Sequence, residues 1–98
     1  MNFSEIKIEN IAQYLRLSFE DLTDGEKQEL SVILDSSREF IRSQTALNDD
    51  ILDTHADIIV LTYCLCQHQY DNRCYTIEKD TLNPMMTRIL AQYARNYL

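Results

Sequence analysis

Three cysteines and two histidines are the residues here with reactive chemistry to offer. Cys64, Cys66 and His68 lie close together, with Cys74 after them and His55 before. A Cys-x-Cys pair beside a histidine suggests a metal site. On a helix, however, residues two apart point about 200° apart, so Cys64 and Cys66 share an ion only if the helix breaks. Cys64 and His68 are four apart and share a face, yet two ligands are half of a tetrahedral zinc site. A cysteine nucleophile would need His68 or His55 as base and an oxyanion donor in a cleft. Nothing in the pattern orients either histidine, and the thiols fall in the most apolar stretch of the chain. The cysteines therefore read as small buried hydrophobes and His68 as a core or interface histidine. Asp49-Asp50 with Asp53 lacks the spacing and glycine of a calcium loop and reads as a solvated loop. There is no glycine-rich phosphate loop and no basic patch interleaved with aromatics. No metal, cofactor or catalytic residue is expected, and the chain is not expected to be an enzyme.

Tyr70-Asp71-Asn72-Arg73 is a different kind of signal. An aromatic, an acid, an amide and a guanidinium follow an apolar run. One reading is a helix C-terminus, with Asn72 left-handed and Arg73 on the last carbonyls. The other is a subunit contact, for which Tyr and Arg are well suited. The following loop carries Tyr75 and Ile77, so the candidate contact set is Tyr70, Asp71, Asn72, Arg73, Tyr75 and Ile77.

These groups must be positioned by helices. Gly25 and Pro84 are the sole glycine and proline of the 98 residues. Folds built of strands need many turn residues, so a single all-α domain over residues 1–98 is predicted. The first helix covers roughly Glu5 to Leu17, where Ile8, Ile11, Ala12 and Leu15 make one stripe. The second runs from about Asp24 to Ser43. Thr23 and Glu26 form a capping box with Leu22 as staple, and Leu30, Ile33, Leu34, Ser37, Phe40 and Ile41 form its apolar face. Gln44 to Asp53 reads as a polar loop. The third helix, from Asp53 or Thr54 to about Asn72, is apolar on nearly all sides between Ile58 and Cys66. That pattern belongs to a central helix surrounded by others. Cys74 to Leu82 reads as irregular. Asn83-Pro84 then starts a fourth helix, Asn as N-cap and Pro at the first helical position. Ile58, Leu61, Leu65, Leu30, Leu34, Phe40, Ile41 and Ile89 are expected in one core.

The formal charge of −7 is uneven. Asp21 to Asp53 carries nine acids against three bases, whereas Thr54 to Leu98 balances at four of each. Such a chain repels phosphate backbones and anionic lipid. The acids serve solubility or form a positioned acidic face, and the sequence leaves both open. An odd number of cysteines and a polar start, Met1 to Glu5, predict synthesis in a reducing cytosol with free thiols. The longest apolar run is about half a membrane span, so no membrane partner is expected.

Four pieces in order then acquire a common meaning. They are Ile11-Ala12-Gln13-Tyr14-Leu15-Arg16-Leu17; Ser37-x-x-Phe40-Ile41-x-x-x-Thr45; an apolar helix closing on Tyr70-Asp71-Asn72-Arg73; and an Asn83 helix start followed by Ile89-Leu90. Their order, spacing and total length resemble the small head–tail connector, or adaptor, proteins of long-tailed phages and prophages. The likeness spans nearly the whole chain. Cys64, Cys66 and Cys74 are not part of the family pattern. The resemblance implies an all-helical virion protein, made in the bacterial host cytoplasm, that forms a homo-oligomeric ring beneath the portal. It would join the DNA-filled head to the tail, touching copies of itself, the portal protein and the next connector or tail-completion protein. DNA would pass through without specific binding. Tyr14, Tyr70, Tyr75, Tyr93 and Tyr97 are amphipathic candidates for the buried patches a ring requires. The competing reading is a small helical DNA-packaging or DNA-binding regulatory protein of a prophage, which would need clustered Lys and Arg on one helix.

Overall fold

The computed structural model describes residues 2–72 and 82–97, and among them no strand occurs. Five α-helices follow in order: α1 (Ile8–Tyr14), α2 (Asp24–Thr45), α3 (Asp49–Leu52), α4 (Ala56–Asn72) and α5 (Pro84–Tyr97). Short 3₁₀ turns occupy Phe3–Glu5 and Phe19–Asp21. The fold is all-α.

Local chemistry sets most of the boundaries. Thr23 Oγ1 accepts from the Glu26 amide and Glu26 Oε1 from the Thr23 amide, each at 3.1 Å, which closes the expected capping box. Asn83 Oδ1 likewise accepts from the Met86 amide at 2.9 Å, with Pro84 at the first helical position. α1 is shorter than its apolar stripe suggests. Arg16 turns left-handed (φ 62°), and the Leu17 amide reaches back to the Ala12 carbonyl at 2.8 Å. That closure ends the helix at Tyr14.

The stretch read as a polar loop, Gln44 to Asp53, is largely structured. α2 continues to Thr45, and Ala46 (φ 56°) turns the chain. Asn48 then caps α3 by accepting from the Ile51 amide. Arg42 grips Asp49 with two bonds, Nε to Oδ1 at 2.8 Å and Nη2 to Oδ2 at 3.0 Å. Asp53 is not a bystander either. Its carboxylate accepts from both the amide and the hydroxyl of Ser4, each at 2.9 Å. This pins the first 3₁₀ turn against the end of α3, and Phe3 becomes fully buried beneath the Arg42 guanidinium.

α4 is the central helix and touches α1, α2, α5 and the first 3₁₀ turn. Because it is apolar on several sides, it separates two apolar clusters instead of filling one core. The first cluster joins Ile58, Leu61 and Leu65 of α4 to Phe3, Ile41, Leu52, Leu90 and Tyr93. The second joins Cys66 of α4 to Ile6, Ile11, Ala12, Leu30, Ile33 and Leu34. The single core of the sequence reading is thus corrected. Leu30 and Leu34 belong to the second cluster, and Phe40 and Ile89 lie partly buried at the margin of the first. The cause is α2, whose N-terminal half faces α1 while its C-terminal half faces α3 and α5.

Candidate partner-contact site at the end of α4

Successive residues on a helix are rotated by roughly 100°, so the last turn of α4 aims four side chains four ways. Gln69 is fully buried against α2. Its Nε2 donates to Ser37 Oγ at 2.7 Å and to the Ile33 carbonyl at 3.1 Å, and its Oε1 accepts from Ser36 Oγ at 2.6 Å. Every polar atom of the amide is used. This seam locks α4 to α2 and fixes the rotation of α4 about its own axis, which decides where its neighbours point.

Tyr70 packs on the second cluster and lines a cavity of about 130 Å³ with Leu17, Leu22, Glu26, Glu29 and Leu30. Asp71 and Asn72 are exposed on another side of α4. They line an open cleft of about 270 Å³ with Cys64, Gln67, His68, Asn83 and Met86. The structure therefore does not bring Tyr70 and Asp71-Asn72 onto one face. Asn72 Nδ2 donates to the His68 carbonyl at 2.8 Å, tying the last turn to the one before. Arg73, Cys74, Tyr75 and Ile77 lie outside the described residues, as does the side chain of Tyr97.

No family model, curated protein or solved structure matches the chain.

The thiols sort by the same rotation. Cys66 is buried in the second cluster, its Sγ 3.5 Å from Ser37 Oγ. Burial pushes its pKa up to about 11, opposed by the Ser37 hydroxyl and the charge of Arg38. Cys64, expected to be buried as well, is half-exposed and lines the cleft with His68. Tyr14 lies beside Cys64 and stacks on Tyr63 with ring centroids 4.9 Å apart. Burial chiefly, with Cys64 adding to it, raises the Tyr14 pKa. His55 lies at the other end of α4, about 13 Å along the helix axis from Cys64, and meets Tyr93 edge-on at 5.0 Å. Among the described residues, no three of His, Cys, Asp and Glu converge to hold a metal ion. None of the described helices is long and apolar enough to cross a membrane.

Tyr93, named above as a surface candidate, is instead buried, and its hydroxyl donates to the Asp57 carboxylate. The sequence reading also missed the solvent face of α4. Ala56, Val60 and Gln67 are exposed and Tyr63 and Cys64 half-buried, spaced at helical intervals. No charged residue stands on this strip before Asp71. The signal was available in the sequence as an apolar run too continuous for one buried stripe.

Proposed function

We propose that this chain is a structural subunit of a tailed-phage head–tail junction, a connector that assembles into a ring beneath the portal and joins the DNA-filled head to the tail. The observation that carries the reading is the uncharged outer strip of α4. An outward helix face normally carries charge. Here Val60 is 48 % exposed and Tyr14, stacked beside the strip on Tyr63, is 41 % exposed. Apolar and aromatic side chains without charge are the composition of an interface centre.

The order of motifs along the chain supports this choice of assembly. The Ile11–Leu17 piece is α1 with its closure, the Ser37-to-Thr45 piece ends α2, Tyr70-Asp71-Asn72 closes α4, and Asn83 caps α5. The partners in this reading are copies of the chain, the portal protein and the next connector or tail-completion protein. The place of action is the virion neck, after synthesis in the host cytoplasm, and no catalytic step is assigned. Exposed Asp24, Asp35 and Glu39 along α2 suit a conduit that must not hold DNA. The same acids count against a DNA-packaging or regulatory DNA binder.

Complementation of portal-bearing heads tests the proposal. Val60→Asp changes an exposed residue, so it should leave the thermal midpoint nearly unchanged while abolishing incorporation into heads. A folded variant that incorporates normally removes the α4 strip from the contact. Duplex binding that is tight and steeply salt-dependent would favour the DNA-binding reading instead.

A further inference from the structure

Among the described residues, four large apolar side chains stand exposed: Tyr14, Val32, Val60 and Met85. Tyr14 and Val60 belong to the α4 strip. Val32 and Met85 do not, and they stand on α2 and α5, exposed by 41 % and 43 %. We propose that they mark the two halves of one contact, in which the outward face of α2 takes the outward face of α5 from a second copy of the chain.

Spacing comes first. Val32, Asp35 and Glu39 fall at i, i+3 and i+7 on the side of α2 opposite buried Leu30, Leu34, Ser37 and Ile41, and all three are exposed. Met85, Arg88 and Gln92 fall at the same i, i+3 and i+7 on α5, exposed opposite buried Met86, Leu90 and Tyr93. Residues so spaced share one helix face. Laid side by side and parallel, the two stripes would run in register: Val32 on Met85, Asp35 on Arg88, Glu39 on Gln92. Turned antiparallel, the apolar and the charged pair cannot both match.

Charge comes second. The α2 stripe carries acids and no base, whereas α5 has two arginines and no acid in its sequence. Asp35 and Arg88 enter no hydrogen bond or ion pair among the described residues, so each is available. Glu39 already holds Arg42 and is asked only to face an uncharged amide. Two α2 faces would repel each other, as would two α5 faces, so like faces do not pair. A contact between unlike faces is heterologous, the kind that closes rings. Asp24 lies about 12 Å before Val32 along the helix axis, so it stays clear of the contact and keeps an acid for the DNA conduit. The contact deepens the assembly reading by naming α5 of a second copy as the occupant, and rests on that reading only for the place of assembly.

The test is sedimentation velocity of the folded chain. One helix pair is a small interface and therefore a weak one. The parent should grow through dimers to larger species as its concentration rises towards about 1 mM, the weak end of the affinity scale. Val32→Asp removes the α2 face and spares α5, and Met85→Asp does the reverse. Each variant alone should stay monomeric. Mixed in equal amounts they should form a one-to-one dimer and stop there, because one sound contact remains per pair. Asp35→Arg should weaken association at least about fivefold, the upper range for one exposed ion pair. Adding Arg88→Asp to that chain should restore it to within about twofold. Asp50→Arg, the same charge change on an exposed residue of α3, should shift it less than about twofold, since distant exposed charges are screened. Melting curves confirm that the variants fold, as changes at exposed positions should. A parent that stays monomeric overturns the second copy as occupant. Either apolar variant associating as the parent does, or a mixture that stays monomeric, overturns the pairing of α2 with α5. Equal losses from Asp35→Arg and Asp50→Arg overturn it too. All of this is read in solution without portal-bearing heads, so failure here leaves the Val60 complementation result untouched.

Discussion

The two clusters on either side of α4 are built on opposite terms. The first is apolar apart from the Tyr93 hydroxyl, with Phe3, Ile41, Leu52, Ile58, Leu61 and Leu65 fully buried. The second carries a hydrogen-bonded seam at its edge, where Ser36, Ser37, Cys66 and Gln69 meet between α2 and α4. Apolar attraction is non-directional, whereas a buried amide is satisfied in one orientation only. The first cluster therefore supplies most of the burial. The second sets the register of α4, and with it the directions of Tyr70, Asp71 and the outer strip.

Deleting volume from the first cluster should have the largest effect. Leu61 is fully buried, and Leu61→Ala is expected to cost about 2–5 kcal/mol, the lost transfer energy plus the cavity left behind. Chemical denaturation of parent and variant measures it. A loss below about 0.5 kcal/mol, the range of ordinary surface changes, would mean that α4 is not central.

The second cluster should respond to polarity more than to volume. Gln69→Leu keeps roughly the size and removes the bonds of the Gln69 amide, leaving the buried Ser37 hydroxyl with only the Cys66 thiol beside it. The expected cost is about 1–3 kcal/mol. The variant should also broaden the amide resonances of Tyr70 and Asp71, because α4 loses what fixes its rotation. A Gln69→Leu chain as stable and as sharp as the parent would reduce the contrast between the clusters to composition alone.

What the sequence could and could not disclose follows the same divide. The capping box at Thr23 and the Asn83-Pro84 start are local, each complete within four residues, so both were legible. The periodicity also revealed α2 and the central role of α4. Partners far apart along the chain were not legible. Ser4 meets Asp53 across 49 positions and Gln69 meets Ser37 across 32. Nothing in the local pattern around Gln69 separates it from exposed Gln67. Phe3, in a short polar-flanked segment, gives no periodic signal of burial. The left-handed turns at Arg16 and Ala46 use residues that do not advertise them. The contact set was read as contiguous because its residues adjoin in sequence, yet helical rotation parts Tyr70 from Asp71.

A third prediction separates the clusters by pH. The unfolded Cys66 thiol ionises near the ordinary cysteine value, about 8.5, while in the fold burial raises it to about 11. Below the lower value the thiol is protonated in both states and its contribution is fully present. Above it the unfolded chain releases the proton first, so stability falls as pH climbs towards the folded value. Between about pH 8 and 11 the parent should lose on the order of 3 kcal/mol more than Cys66→Ala. Parallel curves would mean that Cys66 is better solvated than its burial indicates. The thiols themselves give the matching kinetic test. Half-exposed Cys64 should label before buried Cys66 in the native state, and faster labelling of Cys66 would reverse the assignment.

The smallest effect is expected at the rim of the first cluster, where Arg42 spans Glu39 and Asp49 above Phe3. Hydrogen bonds from Arg42 hold the Asp49 carboxyl below its usual range. Asp49 therefore adds stability above its unfolded pKa, and that stability fades as pH falls through the lowered folded value. Both side chains are about a third or more exposed, at 34 % and 41 %, so solvent screens most of the attraction. Asp49→Asn should cost less than about 1 kcal/mol at neutral pH, shrinking further in high salt. The difference between parent and variant should narrow as the solution is acidified. Its value lies in the contrast with Leu61→Ala. If the clamp held Phe3 in place, Asp49→Asn would approach the cost of a core deletion. If Phe3 is held by its own burial and by the Ser4–Asp53 bonds, the variant stays within the range of an exposed ion pair. The bidentate geometry argues for a well-ordered pair, but the exposure of both partners decides the magnitude, and the smaller cost is the expected one.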